Sequence, residues 1–373
     1  MNETEHDYRY MQRALELARQ GAGRVEPNPM VGCVIVQAEK IVGEGFHTAF
    51  GRDHAEIEAL RSAGADAEGG TLYVNLEPCC HHGKTGPCTE AILAAKLARV
   101  VVANRDPFPQ VAGTGLTSLR EHGLEVMTGV AAEEAETLNA PYFHYLQTSR
   151  PWVIAKWAMS LDGKMATTGG DSRWISNPRS RSIVHQIRGR VDAILVGRRT
   201  AELDDPQLTA RPSGPRTAVR IVLDSMAQLR TDSQLVRSAG EVPLMIVTGG
   251  QASHEAKSRL ENAGCEVMCL DHQPQEDRAA ELHQLLERLG ERQMTNLLVE
   301  GGGKVLGSFF DAQLINEVHT FIAPVLIGGE GVSPLGGSGA ESMDRVTRLE
   351  HCRTEQIDED WYLTGRFPRE KGV

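Results

Sequence analysis

The 373-residue chain is poor in aromatic residues, which make up 5% of it, while Gly occurs 38 times. That balance argues against an all-β sandwich and for helices alternating with strands. No apolar run approaches the ~20 residues of a membrane-spanning helix, so no membrane partner is expected. The opening stretch, MNETEHDYRYMQ, lacks the basic-then-apolar layout of a secretion leader, and a cytoplasmic location is expected. Positive charge is also short. The net charge is −11, with 12 Lys and Arg against 20 Asp and Glu in residues 1–149 and 27 against 30 in the remainder. An acidic first half is a poor surface for nucleic-acid phosphates, and no nucleic-acid partner is expected. The seven cysteines are odd in number, and three fall between positions 79 and 88. This pattern suits metal chemistry in a reducing compartment better than a disulfide framework.

The length exceeds one ordinary core and predicts two domains, with Ser149-Arg150-Pro151 as the boundary: 1–148 and 149–373. In the first, apolar spacing predicts helices at Tyr8–Gln20, His54–Ala63, Thr89–Leu97, Gly115–Gly123 and Ala131–Leu146. Strands are expected at Val31–Val36, Ile41–Phe46, Thr71–Leu76, Arg99–Ala103 and Leu124–Thr128. The alternation predicts a three-layer α/β/α domain. In the second, strands are expected at Trp152–Ala158, Ala193–Val196, Arg220–Leu223, Leu244–Val247, Asn296–Val299 and Glu317–Ile322, with helices at Arg179–Arg190 and Ala279–Leu289. Residues 237–277 carry the weakest pattern, and no internal repeat is visible.

Chemistry concentrates at His54-Ala55-Glu56 and at Glu77-Pro78-Cys79 with Cys88. A catalytic zinc takes three protein ligands and keeps a fourth position open. His54, Cys79 and Cys88 supply three, and the fourth position suits water, whose pKa falls toward neutrality on zinc. Glu56, in the first turn of its helix, can carry a proton from water to a leaving amine. Pro87 before Cys88 marks a helix start, where a thiolate is favoured over a thiol. The alternative is a structural zinc knot, which leaves no open position. Cys80, His81 and His82 are read as parts of an inserted loop.

His-x-Glu followed by Pro-Cys and a later Cys resembles the cytidine-deaminase-like zinc enzymes. The eight-residue insert between the ligating cysteines resembles the bifunctional riboflavin-biosynthesis deaminase/reductase family. So do Pro27-Asn28-Pro29-Met30-Val31-Gly32-Cys33-Val34-Ile35-Val36 and Gly43-Glu44-Gly45-Phe46-His47. Cys80 and Gly86 depart from that pattern, where Ser and Pro are common. The resemblance implies that Asn28, His47, Lys84 and Thr85 hold a pyrimidine and its ribose phosphate. An Asn offers a donor and an acceptor to a base edge, and Lys84 and Thr85 suit an anionic phosphate. Asn28 between two prolines also reads as a turn residue, and Lys84 as a solvated one.

The second half has no metal motif. Val299-Glu300-Gly301-Gly302-Gly303-Lys304 follows an expected strand, but it is not a Rossmann fingerprint, because Leu306 takes the last glycine's place. Nor is it a P-loop, since no Ser or Thr follows Lys304. Segments 156–164, 172–176, 196–209, 222–225 and 323–329 extend the resemblance to the family's reductase domain, which is similar to dihydrofolate reductase in fold. The resemblance implies NADPH as hydride donor. Its site maps to Ala158, Trp174, Thr200, Asp204, Ser225, Gly302, Gly303, Lys304, Val305, Leu306, Gly307 and Ser308. The substrate site maps to Ser172, Arg188, Leu208, Arg211 and Glu300. Arg188 and Arg211 suit a phosphate, because a guanidinium grips oxyanions in a fork. Lys156 and Asp204 are the candidate proton donors to the sugar oxygen, or else an ion pair joining two loops. Trp174 reads equally as core. Asp162 reads as a turn residue before Gly163.

The expected function is therefore bifunctional. Zinc-dependent deamination of a phosphorylated diaminopyrimidinone ribosylamine precedes NADPH-dependent reduction of its ribose, in a homo-oligomer with one Zn2+ per chain. A nucleic-acid base deaminase with an accessory domain would need a basic groove, which the charge disfavours. A deaminase whose second domain is inactive is the other alternative.

Overall fold

The computed structural model describes residues 3–80, 86–108, 112–271 and 278–368. The chain divides into two compact units, Met1–Ser149 and Arg150–Val373.

The first unit opens with α1 (Glu3–Ala18). Met11, Ala14, Leu15 and Ala18 form its buried stripe at helical spacing. The helix starts five residues before the expected Tyr8, because its first turns are polar. Asp7 is nonetheless buried, gripped by Arg99 at 2.8 and 2.9 Å and by the Tyr73 hydroxyl at 2.8 Å. The hairpin β1 (Gly32–Gln37) and β2 (Lys40–Phe46) turns through Ala38 and Glu39, both left-handed, a geometry that matches strand twist. There follow α2 (Ala55–Ala63), β3 (Thr71–Leu76), α3 (Cys88–Ala94), β4 (Arg99–Asn104), α4 (Thr114–Glu121) and β5 (Glu125–Thr128). The sheet order is β2-β1-β3-β4-β5, antiparallel on both sides of β1 and parallel beyond β3.

Strand alternation sorts the two faces. Cys33, Ile35, Leu72, Val74, Val100 and Val102 pack with Ala55, Ala59, Ile92, Leu116 and Leu119 from α2, α3 and α4. Val34, Val36, Tyr73, Val101 and Ala103 pack with α1 and with Ala135. This is the three-layer arrangement expected. The single helix expected over Ala131–Leu146 is instead two, α5 (Ala132–Leu138) and α6 (Ala140–Thr148). Asn139 breaks it, and Pro141 follows in the first turn of α6, where its missing N–H costs no helical bond.

The second unit runs β6 (Trp152–Ser160), α7 (Pro178–Arg188), β7 (Ala193–Gly197), α8 (Arg198–Asp204), β8 (Val219–Leu223), α9 (Gln234–Arg237) and β9 (Leu244–Gly249). It continues with α10 (His254–Asn262), β10 (Glu266–Leu270), α11 (Arg278–Glu291), β11 (Asn296–Val299), α12 (Gly303–Asp311), β12 (Glu317–Ala323), β13 (Glu350–Ile357) and β14 (Asp360–Arg366). The order is β10-β9-β8-β7-β11-β6-β12-β14-β13, parallel as far as β12 and antiparallel at β14 and β13. Leu282, Leu285, Leu286 and Leu289 of α11 and Val305, Leu306 and Phe309 of α12 cover one face. The weakly patterned stretch 237–277 also holds α10 and the edge strand β10. The β13–β14 hairpin was not expected, since β13 is exposed at every position but Ile357 and shows no alternation.

Candidate active sites

In the first unit, two helix starts and a strand end converge. His54 is the extended residue that precedes α2, and Cys88 is the first residue of α3 after Pro87. Cys79 lies just past β3. His54 Nδ1 is 3.2 Å from Cys88 Sγ and 3.4 Å from Cys79 Sγ, and the three donor atoms lie within 4.8 Å of one another. One ion can touch all three. One imidazole and two sulfurs are a donor set of the zinc type. The hydrogen bond from the Cys88 thiol, with that from its backbone N–H and the nearby His54, holds the Cys79 thiol well below its ordinary value. Cys88 is pushed up by the same bond and by burial. A site that prepares one thiolate before any cation arrives suits a metal.

Glu56, in the first turn of α2, is 3% exposed. Burial pushes its carboxyl upward, and the side chain sits against Cys88. The helix that carries it comes close to β2 because Gly45 has no side chain: a Cβ there would stand 2.4 Å from the Ala59 nitrogen.

Asn28 and His47 are brought together. The Asn28 amide donates to His47 Nε2 at 3.2 Å, while His47 Nδ1 donates to the Asp53 carbonyl at 3.0 Å. The Asp53 bond fixes the tautomer, and burial lowers the His47 pKa. The Asn28 loop is held at Met30. Asn139 takes the Met30 N–H at 2.8 Å and donates to its carbonyl at 2.9 Å, and Asn75 donates to that carbonyl at 2.9 Å. Lys84 and Thr85, with His81 and His82, lie outside the described residues. Cys80 is not in the cluster; its sulfur meets the Thr114 hydroxyl at 2.9 Å.

Sequence reasoning gave Glu77 no role. Its buried carboxylate accepts N–H groups from Asp106 (3.2 Å), Gly113 (2.9 Å) and Leu116 (3.2 Å), so it fastens the start of α4 beside the Pro78-Cys79 turn. Asp106, also missed, is buried and takes a bond from the Tyr142 hydroxyl at 3.1 Å. An acid directly before Pro-Cys, at the end of a buried strand, was the available signal for Glu77.

In the second unit, the expected residues gather at the carboxyl ends of β8, β7, β11 and β6, four adjacent parallel strands. Open parallel sheets bind ligands at that edge. Lys156 and Ala158 share a face of β6. Glu300 follows β11, and Thr200 opens α8 beyond β7. Ser225 lies past β8. The Gly197 N–H donates to the Gly301 carbonyl at 3.1 Å, which ties the two strand ends together.

Lys156 and Asp204 form no ion pair. The acid partner of Lys156 is Glu300, at 3.9 Å. Arg188 closes its fork on the same carboxylate, Nε at 2.5 Å and Nη2 at 2.8 Å, and Nη1 reaches the Thr209 carbonyl at 3.4 Å. In this arrangement two buried cations share one anion, Glu300. Burial pushes Glu300 up, but the Arg188 charge and hydrogen bonds, with Lys156, outweigh it and hold it below its ordinary value. Burial lowers Lys156. Arg211 is exposed, and among the described residues its guanidinium meets the Gln207 side chain at 3.5 Å.

Asp204 is pushed up by burial, against the charge of Arg173 and a bond with Ser172. Two expected residues therefore meet there. Trp174 is 73% exposed, with the Arg181 guanidinium 4.4 Å from its ring, so the core reading of Trp174 does not hold. Leu208 is buried. Val305 and Leu306 point into the core, so only their backbone could meet a cofactor. Gly303 and Gly307 are needed for packing: a Cβ would stand 2.4 Å from the Ser333 carbonyl and 1.9 Å from the Gly336 carbonyl. Gly302 faces Thr200, whose hydroxyl would be 3.1 Å from a Cβ. Lys304 is exposed, and the Ser308 hydroxyl donates to its carbonyl. Asp162 accepts the N–H groups of Ile327 (3.0 Å) and Gly328 (2.7 Å), and so joins the turn after β6 to the loop after β12.

The chain matches the family described as RibD C-terminal domain over residues 151–363, and that described as cytidine and deoxycytidylate deaminase zinc-binding region over residues 4–104. It is 41% identical to the riboflavin biosynthesis protein RibD of Actinobacillus pleuropneumoniae over 358 residues, 96% of this chain and 94% of that one. Identity with RibD of Bacillus amyloliquefaciens is 42% over 357 residues, 95% of each chain. Among solved structures it is similar to the Thermotoga maritima diaminohydroxyphosphoribosylaminopyrimidine deaminase/5-amino-6-(5-phosphoribosylamino)uracil reductase. The TM-score is 0.86 at 34% identity, covering 98% of this chain and 100% of that one. With both halves matched and relatives aligned almost end to end, the chain belongs to the RibD family of riboflavin biosynthesis proteins, enzymes that join a zinc-dependent deaminase to an NADPH-dependent reductase.

Proposed function

We propose that this chain deaminates 2,5-diamino-6-(5-phosphoribosylamino)pyrimidin-4(3H)-one in its first unit. Its second unit then reduces the ribosyl chain of the resulting 5-amino-6-(5-phosphoribosylamino)uracil to ribityl. The observation that carries this reading is the convergence of His54, Cys79 and Cys88 beside a buried Glu56.

His54, Cys79 and Cys88 would hold zinc, which when bound would supply the Lewis acidity that makes water nucleophilic at neutral pH. Glu56 takes the proton from the attacking water and delivers it to the leaving amine, which departs as ammonia. One buried carboxyl beside the three ligands can do both. Asn28, fixed by His47, presents its amide oxygen to the pyrimidine edge, and Lys84 and Thr85 hold the ribose phosphate.

In the second unit NADPH would supply hydride, and Ala158, Trp174, Thr200, Asp204, Ser225 and residues 302–308 would hold it. Ser172, Arg188, Leu208, Arg211 and Glu300 hold the substrate, with Arg188 and Arg211 suited to its phosphate. Lys156 gives the sugar oxygen its proton. Burial loosens that proton while Glu300 keeps it bound, a balance that suits an acid at neutral pH. Asp204, with a raised pKa, is the second candidate donor. We place the enzyme in the cytoplasm as a homo-oligomer that acts on a free small molecule and not on nucleic acid. No helix among the described residues is long and apolar enough to cross a membrane.

The test is stepwise. Given the diaminopyrimidinone alone, the chain releases ammonia; NADPH added afterwards is oxidised. Oxidation of NADPH with no ammonia released at any stage would overturn the proposal.

A further inference from the structure

Arg220, the second residue of β8, is fully buried, and no carboxylate among the described residues pairs with it. A cation is rarely buried without an anion. Here oxygens satisfy it instead: the Ser238 hydroxyl at 2.7 Å, the Ser238 carbonyl at 3.2 Å, the Val242 carbonyl, and the Gln207 carbonyl at 3.4 Å. Gln207 lies in the loop that leaves α8. This loop has two residues in the left-handed region, Asp205 (φ 39) and Leu208 (φ 53). Neither is glycine, so the surroundings must hold the backbone there.

The second holding element is α9. The Gln234 N–H donates to the Asp205 carboxylate at 2.7 Å, and its side-chain amide donates to the Asp205 carbonyl at 2.6 Å. The amide oxygen of Gln234 accepts from the Gln207 side chain at 3.1 Å, and the Gln207 oxygen meets Arg211 at 3.5 Å. The Ser238 hydroxyl closes the network by donating to the Gln234 carbonyl at 2.7 Å. A continuous chain of bonds thus runs from a buried guanidinium to an exposed one.

We propose that Arg220 and Gln234 are positioning residues for the reductase step, holding loop 205–209 so that Leu208 and Arg211 meet the substrate. This rests on the substrate reading of Leu208 and Arg211 given above. Gln234 is exposed, so its truncation opens no core cavity, which makes Gln234→Ala the primary variant, with Arg220→Lys beside it. NADPH oxidation is followed with 5-amino-6-(5-phosphoribosylamino)uracil as substrate. In Gln234→Ala the KM for that substrate rises about tenfold, in line with the cost of slight misplacement. Its kcat stays within about threefold, and ammonia release from the diaminopyrimidinone is unchanged, as expected of a defect in positioning alone. Arg220→Lys moves KM in the same direction, and the double variant is worse by less than the product of the two, as expected for residues of one network. A KM unchanged in Gln234→Ala while Arg211→Ala raises it overturns the positioning role alone. A KM unchanged in both variants overturns the substrate reading of the loop, and the proposal with it.

Discussion

Glu300→Gln removes one charge from a buried set of three and leaves its shape. In the wild type the carboxylate faces the Arg188 fork at 2.5 and 2.8 Å and Lys156 at 3.9 Å, with Glu300 5% and the cations 13% and 16% exposed at their side chains. Breaking such a pair from one side costs about 3–5 kcal/mol, because the remaining charges stay buried. Lys156 can relieve part of this by losing its proton, as burial already lowers its pKa. That places the effect near the lower end, about 3 kcal/mol. For a unit of this size about 2–4 °C of melting temperature is lost per kcal/mol, so the transition of the second unit falls by about 6–12 °C at pH 7. The pH dependence has a definite sign. Glu300 is held below its ordinary value, so its contribution is complete at neutral pH and is lost as pH falls through the lowered folded-state pKa. The gap between wild type and Glu300→Gln must therefore narrow in acid. Calorimetric melts at pH 7 and at successively lower pH measure it. A loss below about 1 kcal/mol at pH 7, the worth of an exposed pair, would refute the reasoning. So would a gap that stays constant into acid.

Glu56→Ala lowers ammonia release by at least about 100-fold, the usual worth of a general acid–base, and zinc content by metal analysis stays at one per chain. Zinc content falls in Cys88→Ala and survives in Cys80→Ala, whose sulfur meets Thr114 outside the cluster. Gly307→Ala sets a methyl against the Gly336 carbonyl and destabilises the second unit by about 1–3 kcal/mol in urea titration, while first-unit ammonia release is retained.

The two sites were legible in the sequence to different degrees. His54, Glu56, Cys79 and Cys88 stood out because zinc chemistry demands particular side chains at short spacings, and local helix starts bring them together. Thr71–Leu76 and Asn296–Val299 were read to the residue, being buried strands with clear ends. The Arg188–Glu300 pair, 112 residues apart, was not legible. Nothing in a linear pattern says that two separately sensible ligand residues will satisfy each other. Asn139 was hidden inside an Ala- and Glu-rich helical stretch, because its value lies in two bonds to Met30, 109 residues away. The glycines after Glu300 suggested a ligand loop, yet Gly303 and Gly307 are required by helix packing whether or not a phosphate binds. Trp174 could not be sorted between core and surface, since exposure is decided by neighbours the sequence does not name.

The central claim is that one chain holds two separable chemistries in a fixed order. Glu56→Gln tests it most directly, with ammonia and NADPH followed in the same sample. On the diaminopyrimidinone this variant should release no ammonia and oxidise no NADPH. On 5-amino-6-(5-phosphoribosylamino)uracil it should oxidise NADPH at the wild-type rate. Rapid NADPH oxidation on the diaminopyrimidinone, or none on the uracil, would contradict the account.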